Sequence, residues 1–196
     1  MRASTPTSDR ILDAAMELFG EQGFRSTSIT QIEARAGLAT GSGGIYHHFS
    51  TKQAVLEAGV QRHLQRVRSL QDLRNIFSDL GNLRIELTII ARYALAALDR
   101  ERSLLLIIAT ESRTNPELVG AASARLTGSI FDGFAGWLSD RTGTDIARSR
   151  ALSAVAVGAI VSHRLLTSLN ITAAPLVDDE QFVGAWVEML TAATAS

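Results

Sequence analysis

The sequence predicts an all-α protein, in which a small N-terminal three-helix module is followed by a larger helical domain. Three observations support this fold class. The chain has only three prolines, Pro6, Pro116 and Pro175, to interrupt helices. It is rich in Ala, Leu, Arg and Glu, which have high helix propensity. No stretch shows the sustained alternation of apolar and polar residues that is typical of a half-buried strand.

The first predicted helix covers about residues 8–22. Its apolar residues recur at helical spacing and form one stripe that faces a core. The stripe consists of Ile11, Leu12, Ala15, Leu18 and Phe19. Gly23 follows directly and is the expected C-cap.

The second predicted helix is short and begins after Ser28. Ser28 and Gln31 have the spacing of a capping box, in which each side chain bonds to the other residue's backbone N–H group. Ile32 lies on the apolar face of this helix. Gly37 ends it, because glycine accepts the positive φ angle of a tight turn without steric cost.

A glycine-rich turn, residues 38–44, leads into a third short helix that carries Ile45 and Phe49. Ser50 and Gln53 are predicted to form another capping box, which opens a long helix. Three short helices that end in a long one are the recognisable feature of this part of the chain.

The chain beyond Leu70 is predicted to form long, strongly apolar helices. Glycine, proline and asparagine separate them. They are placed at about residues 82–100, 103–112, 115–141, 145–169 and 178–193. Residues 151–161 are apolar nearly all round, so this helix is expected to bury itself against both its own domain and a second subunit.

Four segments of the N-terminal quarter carry a family resemblance. They are residues 10–24 (RILDAAMELFGEQGF), 27–30 (TSIT), 36–38 (AGL) and 45–52 (IYHHFSTK). In this order and spacing they closely resemble the DNA-binding domain of the TetR/AcrR family of transcriptional regulators. The resemblance implies a helix-turn-helix at residues 8–52, followed by a ligand-binding and dimerisation domain at residues 53–196.

The resemblance also implies which residues contact DNA. Leu38, Ile45 and Phe49 would anchor the recognition helix to the small core. Tyr46 and Lys52 match family positions that contact backbone phosphates, and phosphate contacts of this kind set the register of a protein on DNA. The predicted DNA-contacting residues are Ser28, Thr40, Ser42, Gly43, Gly44, Tyr46, His47 and Lys52.

The glycine-rich turn departs from the family pattern. It has two extra residues, and Glu33 and Ala34 invert the usual order of a small residue followed by an acidic one. The two departures are linked if the longer turn leaves room for a glutamate between the helices. Residues that contact bases are therefore not transferred from the family, and we expect backbone contacts and DNA shape to matter more than bidentate side-chain contacts.

The larger domain offers candidates for an effector pocket and a subunit interface. Tyr93, Phe134 and Trp137 are the predicted pocket residues, and plain core packing is the alternative for each aromatic. Glu111 is expected either in the cavity or as a surface charge at a helix end. The predicted dimer interface consists of Ala154, Gly158, Val161, Phe182 and Trp186, from helices that pair with their copies as the resemblance implies. Core packing is the alternative for Phe182 and Trp186.

Several other classes of site are excluded or disfavoured. The absence of cysteine excludes disulfides, zinc–thiolate sites and cysteine nucleophiles. The glycines at 41–44 lack the Lys-Ser/Thr of a phosphate-binding loop. His47 and His48 are adjacent and point about 100° apart on a helix, so they do not suit one metal ion. No spacing indicates a catalytic triad, so an enzyme is not expected, nor is any cofactor.

The sequence finally predicts location and function. The apolar runs are shorter than the roughly 20 residues that span a bilayer, and the N-terminus lacks the apolar core of a signal peptide, so a cytoplasmic protein is expected. The predicted function is a homodimeric, ligand-responsive regulator that binds a palindromic operator on double-stranded DNA; family behaviour favours repression, and activation is the alternative. The net charge of −1 motivates a rival: a ligand-binding or scaffolding protein with a degenerate helix-turn-helix.

Overall fold

The computed structural model describes residues 6–41, 43–77, 81–114, 116–168 and 177–195. Within these ranges the chain forms eight α-helices and one 3-10 helix and has no β-strand, which confirms the predicted all-α class. The elements in order are α1 (Thr7–Gln22), α2 (Ile29–Arg35), a 3-10 helix (Gly44–His47), α3 (Lys52–Phe77), α4 (Leu83–Arg100), α5 (Arg102–Thr114), α6 (Pro116–Thr142), α7 (Ile146–Ser168) and α8 (Asp179–Thr194).

The ends of α1 and α2 follow local sequence rules. Gly23 has a φ of 85° and its N–H group donates to the carbonyl of Phe19, as expected of a C-cap. At the start of α2 the Ser28 hydroxyl accepts from the Gln31 N–H group at 3.2 Å, and the Gln31 side chain accepts from the Ser28 N–H group at 2.7 Å. The predicted capping box is thus confirmed.

Helix α2 ends in a Schellman motif. The N–H groups of Gly37 and Leu38 donate to the carbonyls of Ala34 and Glu33, at 3.1 and 2.8 Å. Gly37 has the predicted positive φ, at 68°. Two carbonyls that the end of a helix leaves unpaired are satisfied in this way.

The third short helix differs from the prediction. It is a 3-10 helix over Gly44–His47 and ends before Phe49. Gly43, which precedes it, has a left-handed φ of 69°, and short 3-10 turns are common as connectors. The predicted capping box of Ser50 and Gln53 is wrong. The neighbouring hydroxyl of Thr51 caps α3 instead, by accepting the Ala54 N–H group at 3.0 Å.

The described chain packs as two units. Unit 1 comprises residues 1–66 and 101–123, and unit 2 comprises residues 67–100 and 124–196. These units are defined by packing, and the predicted division by function into residues 8–52 and 53–196 stays a prediction.

Unit 1 is built on α1, which packs against α2 and α5. Its core contains side chains that are at most 6% exposed, including the predicted Ile11, Leu18, Phe19, Ile32 and Ile45. Helix α5 approaches α1 closely at Gly20, where a Cβ atom would lie 3.2 Å from the Ser103 Cα atom. The sequence did not indicate that α5 supports the N-terminal helices.

Unit 2 has a core formed by α4, α6, α7 and α8. Its buried residues are Leu87, Ala91, Leu95, Phe134, Ala156, Ile160, Val183, Trp186, Val187 and Leu190. The apolar segment 151–161 is only half covered within this chain: Ala156 and Ile160 are buried, whereas Ala154, Val155 and Gly158 are exposed. Among the described residues, no helix has the length and apolar character that crossing a membrane requires.

Candidate functional site

The predicted DNA-contacting residues form an exposed surface of unit 1 around the 3-10 helix. Tyr46 is 56% exposed, although it follows Ile45, which is fully buried. Thr40 and His47 are exposed as well, and Gly43 and Gly44 are half-buried between them. These five residues are therefore displayed by a segment whose anchor lies in the core. Ser42 lies outside the described residues.

The buried side chain of Glu33 bonds to the backbone of this surface. Glu33 is 1% exposed, and its carboxylate accepts the Gly41 N–H group at 2.8 Å and the Ile45 N–H group at 3.5 Å. A buried carboxylate is tolerated when hydrogen-bond donors surround it. The expectation that the longer turn makes room for a glutamate agrees with this placement. The Gly41 N–H group, however, already bonds to that glutamate.

Lys52 is half-buried and contacts the protein's own backbone. Its ammonium group donates to the carbonyls of Phe24 and Thr27 at 2.8 and 2.7 Å, and it lies 4.4 Å from the centre of the Phe24 ring. An ammonium group has three N–H donors, so these two bonds leave one for a phosphate. Lys52 therefore joins the start of α3 to the loop between α1 and α2.

Ser28 lies beside this loop at the start of α2 and is exposed. Its oxygen accepts a hydrogen bond as the N-cap, which leaves the hydroxyl proton to donate to a phosphate oxygen. The hydroxyl can serve both roles at once.

Two other basic side chains of unit 1, those of Arg35 and Arg10, bond within the protein. Arg35 pairs with Glu17 and Glu21 at 3.1 and 3.4 Å, and these carboxylates raise the pKa of the guanidinium. Arg10 donates to the carbonyls of Ala36 and Gly37 at the end of α2. These two guanidinium groups are therefore already bonded within the protein.

The predicted effector residues lie in unit 2. Phe134 is 3% exposed and stacks on Trp137, with ring centres 5.6 Å apart, so it is a core residue in this chain. Tyr93 and Trp137 are half-buried. Their polar atoms, the Tyr93 hydroxyl oxygen and the Trp137 indole nitrogen, are buried without a hydrogen-bond partner among the described residues, and such atoms are uncommon in folded proteins.

The predicted interface residues lie on α7 and α8 in different environments. Ala154 and Gly158 are exposed, and Val161 is half-buried. Trp186 is 3% exposed in the core of unit 2, where its indole N–H group donates to the Ala156 carbonyl at 2.9 Å. Its side chain thus supports the helices from inside.

Phe182 lies beside a polar cluster, formed by His163, Arg164 and Asp179, at the start of α8. Its ring is half-buried and stacks on His163 with ring centres 4.2 Å apart. Arg164 donates to both carboxylate oxygens of Asp179 at 2.7 and 2.6 Å. These hydrogen bonds lower the pKa of Asp179 to about 2.

Two buried acidic residues in unit 1 have roles that the sequence did not settle. Glu111 of α5 is 5% exposed and its carboxylate accepts the Phe24 N–H group at 3.0 Å, so it is neither a surface charge nor placed in unit 2. Glu101 contacts Nδ1 of His63, and both side chains are buried. No local pattern identifies such pairs, because the partners lie 87 and 38 residues apart.

Comparison with known proteins finds relatives of the N-terminal segment. Residues 11–58 match the model described as bacterial regulatory proteins, tetR family. The chain is 39% identical over 61 residues to the HTH-type transcriptional regulator UidR of Escherichia coli K12, covering 31% of this chain and 30% of UidR. It is 40% identical over 47 residues to the HTH-type transcriptional repressor KstR2 of Rhodococcus jostii, covering 24% of this chain and 22% of KstR2. Each match thus spans less than a third of the relative.

Solved structures extend the likeness in fold to nearly the whole chain. A TetR-like transcriptional regulator from Rhodococcus sp. RHA1 has a TM-score of 0.73 at 17% identity, over 97% of this chain and 96% of its own. FadR from Bacillus subtilis, in complex with stearoyl-CoA, has a TM-score of 0.69 at 19% identity, over 94% and 98%. All four proteins are named as transcriptional regulators and none as an enzyme. The predicted resemblance is confirmed: the chain is TetR/AcrR-like, with an N-terminal segment that matches the tetR family model and the fold of that family's regulators.

Proposed function

We propose that this chain is a homodimeric transcriptional regulator that binds a palindromic operator through unit 1. The protein represses transcription while it is bound to the operator, and a small molecule bound by the C-terminal domain releases it from DNA. The proposed DNA-contacting residues are Ser28, Thr40, Ser42, Gly43, Gly44, Tyr46, His47 and Lys52. The observation that carries the proposal is the placement of an exposed tyrosine and histidine directly beside the buried Ile45, because a side chain that contacts DNA needs both exposure and a rigid support.

The exposed apolar face of α7 and α8 supports the homodimer. Val155 and Met189 are 56% and 39% exposed, and contiguous exposed apolar surface commonly marks an interaction site. A Cβ atom built on Gly158 or Gly184 meets no described atom within 4 Å. Small residues of this kind let a partner's helices approach closely, and a two-fold interface would bring the same face of the second copy against it.

Two unpaired polar atoms support the effector site. The Trp137 indole is a donor, and the Tyr93 hydroxyl is a donor or an acceptor. Both atoms are buried without a described partner, and leaving such groups unpaired costs about 1–3 kcal/mol each. A ligand with an acceptor group and an apolar body would recover part of this free energy. FadR, which has this fold, forms a complex with stearoyl-CoA, and this also supports a small-molecule site.

Release follows from linkage between the two binding events. Every 1.4 kcal/mol by which an effector prefers the DNA-free conformation weakens DNA affinity about tenfold. Helix α3 runs from Lys52 to Phe77 and contributes residues to both units. A covalently continuous helix is the simplest element through which the conformation of one unit biases the other.

The test is selection of genomic fragments by the purified full-length protein, followed by titrations of the enriched sequence at several salt concentrations. The proposal predicts one enriched palindrome with half-sites about 34–36 Å apart. Because Lys52, Arg10 and Arg35 all bond within the protein, log affinity should fall with log salt with a slope of only about −2 to −4 for the dimer. A double variant, Tyr46→Ala with His47→Ala, should lose the enrichment. If the double variant keeps both the enrichment and the affinity of the wild type, the proposed surface is contradicted.

A second candidate is a ligand-binding or scaffolding protein whose helix-turn-helix no longer binds DNA. The charge of the segment that matches the family model favours this second candidate. Residues 11–58 contain three Lys or Arg and five Asp or Glu, which gives a formal net charge of −2 with histidine neutral. Domains that neutralise phosphates are commonly basic. Wild-type protein that enriches no sequence, or binds every sequence equally, would favour this second candidate.

A further inference from the structure

Glu33 joins both ends of the glycine-rich turn. Its backbone carbonyl accepts the Leu38 N–H group at 2.8 Å, at the start of the turn. Its carboxylate accepts the N–H group of Gly41 at 2.8 Å and that of Ile45 at 3.5 Å, just beyond its end. One residue of α2 therefore bonds to three backbone positions of the segment that leads to Tyr46.

The turn needs such a support because glycine gives it many alternatives. Gly41 and Gly43 have φ angles of 75° and 69°, and glycine populates positive and negative φ about equally. A Cβ atom on Gly41 would meet no described atom within 4 Å, so steric packing does not restrict this residue. Among the described residues, the Glu33 carboxylate holds Gly41 by a bond of 2.8 Å.

Burial makes this contact strong. Glu33 is 1% exposed, and a carboxylate in such a place is stable only while hydrogen-bond donors satisfy it. Hydrogen bonds to a charged acceptor are stronger than those between neutral groups. The conformation of the turn and the burial of the charge therefore depend on each other.

We propose that Glu33 is a positioning residue for DNA recognition: its carboxylate sets the conformation of the glycine-rich turn and so aims Tyr46 and His47 at the operator. The sequence preference of the protein then depends on a group that does not touch DNA. This inference rests on the proposed DNA-binding function. It also assigns the Gly41 N–H group to the Glu33 carboxylate, so that this group is not the one that contacts a phosphate.

The test compares four variants of the full-length chain. Glu33→Gln keeps the shape but turns one acceptor oxygen into a donor, Glu33→Ala removes the contact, and Glu33→Asp keeps the charge on a shorter side chain. The matched control is Glu57→Gln, which removes the same charge from an exposed position on α3 in unit 1. Every variant is first checked for the thermal transition and the oligomeric state of the wild type.

The first readout is hydrogen exchange of the Gly41 amide in DNA-free protein, measured by NMR. The loss of this bond should speed exchange about 10- to 150-fold in Glu33→Ala, which corresponds to the net contribution of a hydrogen bond to a carboxylate. Glu33→Gln should exchange faster than wild type, and Glu33→Asp should lie between. Unchanged exchange in both Glu33→Ala and Glu33→Gln would overturn the proposal.

The second readout is selection from randomised DNA. A positioning role predicts that Glu33→Gln enriches a different or less defined sequence, that Glu33→Asp partly restores the wild-type sequence, and that Glu57→Gln keeps it. Faster Gly41 exchange with an unchanged enriched sequence and affinity would overturn the role in recognition. Wild-type protein that enriches no DNA would instead defeat the proposed function, and since amide exchange is measured without DNA, the two failures are distinguishable.

Discussion

Substitution of Gly158 by tryptophan should convert the protein to folded monomers. Gly158 lies in the middle of α7, is exposed in the single chain, and has no described atom within 4 Å of the position a Cβ atom would take. A large side chain therefore meets no described obstacle within its own subunit. In the proposed dimer the same side chain would stand between helices that small residues allow to pack closely.

The magnitude follows from symmetry. Overpacking a well-packed contact costs about 1–3 kcal/mol, and a two-fold interface contains each substituted residue twice. The dimer should therefore lose about 2–6 kcal/mol, which weakens its dissociation constant by roughly 30-fold to 20,000-fold. The folding of the single chain should not suffer, because glycine is about 0.8–1 kcal/mol less favourable than alanine in a helix and tryptophan lies between them.

Sedimentation across a range of concentrations measures the dimer, and circular dichroism checks the helix content. The matched control is Gly128→Trp, a glycine of α6 that is also exposed and also has no described atom within 4 Å of an added Cβ. It should leave the dimer intact. A Gly158→Trp protein that dimerises as tightly as the control would refute the assignment of the α7 and α8 face as the interface.

The remaining predictions concern stability and are measured by urea unfolding. Lys52→Met should destabilise the protein by about 1–3 kcal/mol, since hydrogen bonds from a charged group to two carbonyls are lost; no change would contradict the role given to that ammonium. Ser28→Ala should cost about 0.5–2 kcal/mol through loss of the N-cap, and a cost near zero would argue against it. The Arg164 hydrogen bonds lower the pKa of Asp179 to about 2. The ionised Asp179 therefore stabilises the fold fully above its unfolded pKa of about 3.9, and this stabilisation is lost as the pH falls towards 2. With the side chain 50% exposed, Asp179→Asn should cost about 1 kcal/mol at pH 7 and progressively less in acid, whereas the exposed Asp132→Asn control should change little; a cost that stays constant down to pH 2 would contradict an electrostatic origin.

Local chemistry explains what the sequence predicted well. The capping box of Ser28 and Gln31 and the positive φ of Gly37 depend on a few neighbouring residues, and both formed as expected. The exposure of Tyr46 follows from its place beside the buried Ile45. The predicted capping box of Ser50 and Gln53 was wrong because Ser50 and Thr51 are both good N-caps. Which of them begins α3 depends on where the preceding 3-10 helix ends.

Long-range contacts explain what the sequence did not predict. The third helix is a 3-10 helix that is bonded to Glu33. The length of the turn can be read from the sequence, but which N–H groups the Glu33 carboxylate accepts cannot. Lys52 matches a phosphate-contacting position of the family, yet the protein's own carbonyls take two of its donors. The bond from Phe24 to Glu111 joins residues 87 positions apart. Such partners become visible only when the helices have been packed.

Competition between the enriched palindrome and a scrambled duplex for the purified protein distinguishes sequence-specific DNA binding from its absence. The dissociation constants are measured at physiological salt, and the stoichiometry is taken from the mass of the complex. Sequence-specific binding by a dimer predicts two chains on each palindrome and an affinity at least about 10³-fold higher than for the scrambled duplex. Equal affinity for the two duplexes would contradict sequence-specific regulation and favour a helical ligand-binding protein.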